Sequence, residues 1–79
     1  MMARIRRGRP DGERLWRLRK LHSQIDATLV DRAGTGVEIA FFYNGECVYA
    51  RQWPAREPGV ADAARTRADL ERSGWTSHW

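Results

Sequence analysis

The chain has a single cysteine, a single lysine, three prolines and no apolar run longer than Ile39 to Tyr43. Each scarcity excludes something. Cys47 alone cannot close an intramolecular disulfide, which fits a reducing, cytoplasmic setting. A run that short cannot cross a bilayer as a helix. The N-terminus has charge but no apolar stretch behind it, so no secretory signal is expected. His22 and His78 lie far apart, and neither has a cysteine or carboxylate at ligand spacing, so no metal site is expected. Cys47 has no adjacent base, and Gly34-Thr35-Gly36 is too short for a phosphate loop. With no nucleophile, base or metal motif, the sequence reads as a non-enzyme without a cofactor.

What is present suits one small folded domain. The 79 residues are 42% hydrophobic and 30% charged, a globular rather than a disordered composition. The net charge of +4 is unevenly placed. Residues 1–20 hold eight basic side chains against two acidic ones, and residues 21–79 hold six against eight. Basicity therefore sits in the N-terminal arm and the first strand. That asymmetry suits an acidic partner such as nucleic acid, although thirteen of the fourteen basic residues are arginine, which a compositional bias also explains.

Residues 1–13, MMARIRRGRPDGE, lack periodicity and contain Gly8, Pro10 and Gly12. They read as a flexible basic arm, leaving residues 14–79 as the domain. A strand is expected over Arg14–Lys20, with Trp16 and Leu18 on one side and Arg17 and Arg19 on the other. Leu21-His22-Ser23 offers poor turn chemistry. A second strand follows over Gln24–Val30, and Asp31 to Gly36 supplies the next turn, with two glycines suited to positive φ.

The strongest local signal is VEIAFFYNGECVYARQW, Val37 to Trp53, two alternating runs joined by Asn44-Gly45. A two-residue loop there sets Phe42 opposite Cys47, Phe41 opposite Val48, Ile39 opposite Ala50 and Glu38 opposite Arg51. The last pair reads as a cross-strand salt bridge. A loop of three or five residues before the hairpin keeps Leu29, Ala27 and Ile25 on the same side as Val37, Ile39 and Phe41. The expected core face is then Trp16, Leu18, Ile25, Ala27, Leu29, Val37, Ile39, Phe41, Val48 and Ala50. The opposite face collects Arg17, Arg19, Asp26, Thr28, Glu38, Ala40, Phe42, Cys47, Tyr49, Arg51 and Trp53.

Pro54 ends the last strand. A helix is expected to start between Arg56 and Gly59 and to end at Ser73, with Pro58 and Glu57 in its first turn. Its apolar sector holds Val60, Ala61, Ala63, Ala64, Ala68 and Leu70, with the Arg67 stem lying along the core. Gly74 suits the left-handed position after the helix, with Trp75 reaching back to Leu70. Trp79 is expected to pack rather than project. The fold class is α+β: a four-stranded antiparallel meander followed by one C-terminal helix on one sheet face (ββββα).

At WRLRK (Trp16 to Lys20), GVEIAFFYNGE (Gly36 to Glu46) and GWTSHW (Gly74 to Trp79), the chain resembles a group of small uncharacterised bacterial proteins, over all but the arm. That resemblance implies no activity. The order of four meandering strands and a helix is similar in topology to the PUR-repeat and Whirly class of single-strand binders, and no binding residue carries over from it.

Two readings of function follow. In the first, the domain is a non-catalytic binding module that forms a homodimer or engages a protein partner through its aromatic face. In the second, it binds single-stranded nucleic acid. Phe42, Tyr49 and Trp53 would stack on bases, Arg17, Arg19 and Arg51 would contact phosphates, and the arm would add a salt-sensitive term. Asp26, Glu38 and Glu46, on or near the same surface, weigh against the second. Neither reading involves a membrane or a metal.

Overall fold

The computed structural model describes residues 12–77. The arm up to Asp11 and the final His78 and Trp79 lie outside the described residues, as do the expectations made for them. Four strands, β1 (Glu13–Lys20), β2 (Ser23–Asp31), β3 (Val37–Tyr43) and β4 (Glu46–Trp53), form one antiparallel sheet in the order β1-β2-β3-β4. Helix α1 (Arg56–Arg72) follows and packs on one face. The expected ββββα architecture is the observed one. The first strand opens one residue earlier than expected, at Glu13.

Local chemistry explains the connections. Asn44 (φ 51°) and Gly45 (φ 88°) both take the left-handed conformation that a tight two-residue hairpin turn requires. Five residues, 32–36, separate β2 from β3, an odd loop as alternation demands. Leu29 consequently pairs with Ile39 and Ala27 with Phe41, two residues along from the expected partners but on the same face. The β1–β2 turn is also only two residues, Leu21 and His22, and Leu21 is forced to φ 56°. A leucine pays for that geometry with side-chain crowding that glycine and asparagine escape.

Two bulges reset the pattern. β1 shifts register between Arg14 and Trp16, so Leu15 joins Trp16 on the helix side and packs against the core. β4 shifts between the Phe41 and Phe42 pairings. Phe42 still faces Cys47, but Phe41 faces Tyr49, Ala40 faces Ala50 and Ile39 faces Arg51. One extra residue, Val48, therefore reverses the faces of everything after it.

The core lies between helix and sheet, built on Leu18, Ala27, Leu29, Val37, Ile39 and Ala63 with Trp16. Its fit depends on small residues. A methyl group on Gly59 would come within 2.9 Å of Ile39 Cδ1 and 3.1 Å of the Trp53 ring, so only glycine lets the helix sit this close. Trp16 Nε1 donates to the Ala63 carbonyl at 3.0 Å, pinning β1 to the helix inside the core. The buried line of the helix runs through Gly59 and Ala63, with Val60 and Leu70 half-buried beside it. Ala61 and Ala64, expected in the apolar sector, face solvent.

The helix ends as the sequence predicts. Gly74 N–H donates to the Glu71 carbonyl and Trp75 N–H to the Leu70 carbonyl, each at 3.1 Å, with Gly74 at φ 103°. Those are the two bonds of a Schellman cap, and Trp75 and Leu70 pack against the same core cluster. Lys20 Nζ adds a bond to the Ser73 carbonyl at 2.7 Å, a cation at the negative end of the helix dipole. The chain then returns to the sheet. Arg19 and Thr76 exchange both backbone hydrogen bonds, at 2.7 and 2.9 Å, along the outer edge of β1.

Candidate functional site

The β4 bulge divides the six candidate residues between two surfaces. Arg17, Arg19 and Phe42 lie on the open face of the sheet, whereas Tyr49, Arg51 and Trp53 lie on the helix side. The expected single aromatic–arginine face is therefore corrected. The physical reason is the packing of Trp53: the shift sets it opposite Val37 and against Gly59 of the helix, where an unbulged strand would offer Gln52, while the still exposed Tyr49 gains its stack on Phe41. The expected Glu38–Arg51 bridge is lost by the same shift. Glu38 instead pairs with Arg32 of the β2–β3 loop, and Gln52 stands opposite it.

On the open face, Asp26 is only 8% exposed and takes a hydrogen bond from Arg17 Nε and another from Gln24 Nε2 at 3.2 Å. Arg14, Arg17 and Arg19 form the β1 border of this face. Phe42 is half-buried between Asp26 on β2 and Cys47 on β4, and the Cys47 thiol is exposed. This face is a laced polar surface with one aromatic at its centre.

The helix side is different. α1 starts against Trp53 and Ile39 through Gly59 and ends against β1 at Lys20, so it crosses the sheet diagonally. That diagonal leaves one corner uncovered, where β3 turns into β4. Phe41, Tyr43, Val48 and Tyr49 floor an open groove of about 570 Å³, with Arg51 at one end and Thr66 and Leu70 of the helix as its wall. Val48 is 61% exposed, Tyr49 54% and Tyr43 43%. The rings are ordered among themselves: Phe41 stacks on Tyr49 at 5.9 Å and 24°, and Tyr43 meets Trp75 edge-on at 6.5 Å. The Arg51 guanidinium lies 4.2 Å over the Trp53 ring. Sequence reasoning assigned Phe41 and Val48 to the closed core and missed Tyr43. Phe41, Tyr43 and Tyr49 are visible in the sequence as aromatics of the hairpin, but nothing local marks the bulge that gathers them at this corner.

The groove opens beside β4, the edge of the sheet. Among the described residues, β1's outer edge is engaged by Thr76, and no backbone partner lies along the outer edge of β4. Backbone alternation fixes what that edge presents. Tyr43 and Glu46 flank a two-residue turn and so bond to each other, and counting on through the bulge turns the N–H and C=O of Ala50 and Gln52 outward.

Among the described residues, no group of three or more histidine, cysteine, aspartate or glutamate side chains could hold a metal ion. Nor is any helix there long and apolar enough to cross a membrane. No protein-family model matches the chain, and no curated protein or solved structure matches it.

Proposed function

We propose that the domain is a non-catalytic association module that binds another polypeptide chain by strand addition to β4, with the aromatic corner taking side chains of the added strand. One observation carries this: the two sheet edges are treated differently. β1 is lined by Arg14, Arg17, Arg19 and Lys20 and is bridged by Thr76, whereas β4 has no lysine or proline within Glu46–Trp53 and borders exposed Val48, Tyr49 and Tyr43. The Val48 bulge guards the first half of β4, but the regular stretch from Ala50 to Trp53 has no backbone partner among the described residues, and an edge of that kind is a template for pairing. In strand addition the main chain supplies affinity and a neighbouring groove supplies selectivity.

The single-strand reading needs stacking aromatics and phosphate-binding arginines on one surface. Here Tyr49, Arg51 and Trp53 share a side with the helix, and Arg17 is engaged with Asp26 on the other.

Ala50→Pro tests the proposal, because it removes an outward N–H that no bond to β3 uses. Binding of the protein to itself and to library-selected extended peptides should disappear while the far-ultraviolet dichroism stays unchanged. Association that survives Ala50→Pro defeats the reading. So does tryptophan quenching by single-stranded oligonucleotides that falls steeply with salt, if no peptide or self-association accompanies it.

A further inference from the structure

We propose that the strand added to β4 is β4 of a second copy, antiparallel about a two-fold axis through Ala50. This rests on the strand-addition reading and names its partner. In a two-fold pairing, outward-facing residues must meet outward-facing residues, which limits the regular part of β4 to centres at Ala50, Arg51 or Gln52. A centre at Arg51 sets that arginine against its own symmetry mate, a destabilising like-charge pair. A centre at Gln52 sets Ala50 against Pro54, which has no N–H to give. The centre at Ala50 avoids both; it brings Gln52 opposite the partner's bulged Val48, so the regular main-chain pairing is the exchange at Ala50 and the side-chain pairs beside it carry the rest.

At that centre the two Ala50 residues exchange both backbone hydrogen bonds, and their methyl groups leave room at the axis. Tyr49 and Arg51 flank Ala50 on the helix side, so each Tyr49 comes opposite the partner's Arg51, a cation over an aromatic ring, twice by symmetry. Because the axis is perpendicular to the sheet, both helices stay on one face of a continuous eight-stranded sheet. The open corner at the Glu46 end of β4 then adjoins the partner's Trp53 and the start of the partner's helix. Both the edge and the apolar corner are covered by one operation. A sheet and helix of this size have a thin core, and association is a common remedy.

Two measurements test the register. In a Cys47→Ser background, Ala50→Cys should be linked to its mate by a thiol cross-linker of about 5 Å, the spacing of directly paired strand residues. Gln52→Cys, placed four residues from its mate along the strand, should not be linked. Light scattering should give twice the monomer mass, and Arg51→Ser should weaken the dimer roughly tenfold or more. Tyr49→Lys, which sets lysine against the partner's Arg51, should do the same. A monomer at every concentration that still binds extended peptides overturns the second copy and leaves strand addition standing. Cross-linking at position 52 in preference to position 50 overturns the register. A dimer indifferent to Ala50→Pro overturns both proposals.

Discussion

Tyr49 stacks on Phe41 across the β3–β4 pair, with ring centroids 5.9 Å apart and planes 24° from parallel. Phe41 in turn lies 5.9 Å from Trp16, the two reaching over the small Ala27 between them. The stack exists because Val48 is an extra residue in β4. The bulge thus joins the buried aromatic row to the exposed corner.

Deleting residues from β4 should separate the bulge from the pleat. Removing Val48 takes out the extra residue and leaves Tyr49, Arg51 and Trp53 on the helix side, so the variant should fold with a modest loss. Removing Ala50 also lets the strand run without a bulge and keeps Arg51 and Trp53 on the helix side, but it sets Val48 opposite Phe41 and turns Tyr49 to the open face. The Tyr49–Phe41 stack, worth about 0.5–1.5 kcal/mol beyond its area, is lost in this deletion alone. Thermal unfolding of the two deletions checks this, and equal losses would refute it.

Gly59→Ala should destabilise the domain. In an ordinary helix interior alanine gains about 1 kcal/mol over glycine. Here the new methyl meets Ile39 Cδ1 at 2.9 Å with the Trp53 ring behind it, and overpacking of this kind costs about 1–3 kcal/mol. Urea denaturation gives the sign directly.

Leu21→Gly or Leu21→Asn should stabilise the domain by about 1 kcal/mol, because the left-handed backbone penalty is removed. Leu21 is 85% exposed at φ 56°, so little packing is lost with its side chain. A destabilised variant would show that the leucine makes a contact worth more than its strain.

Glu13 and Arg56 tie the start of β1 to the start of the helix through two hydrogen bonds at 2.8 and 2.9 Å. Hydrogen bonding to the Arg56 guanidinium, reinforced by its charge, holds the Glu13 carboxyl below its ordinary value. A carboxyl depressed in the folded state stabilises it above the unfolded pKa, and that contribution is lost as pH falls through the lowered folded value. Arg56→Gln should return the Glu13 titration upward to the ordinary glutamate range in a carboxyl NMR titration. It should also flatten that part of the acid stability profile. An unchanged Glu13 titration would refute the pairing in solution.

Much of this was legible in the residues. Asn44-Gly45 required the hairpin, Gly74 and Trp75 required the helix stop, and the alternation of Ile25, Ala27 and Leu29 with Val37, Ile39 and Phe41 required an odd loop. These are local demands of φ, capping and period, and the sequence alone determined them. The candidate surface was legible only in its residue types, since aromatics and arginines were identified while their faces were misassigned.

Only the tertiary structure decided the faces. A bulge costs the chain little locally, so no turn residue or break in polarity marks Val48, and its benefit is realised only when Tyr49 and Trp53 find Phe41 and Gly59 across the sheet and helix. The diagonal of the helix is likewise set by where Gly59 allows close approach and where Lys20 and Thr76 fasten the other end. Those contacts join residues far apart in the chain. They leave the aromatic corner open beside β4, which no period or local motif in the sequence could have located.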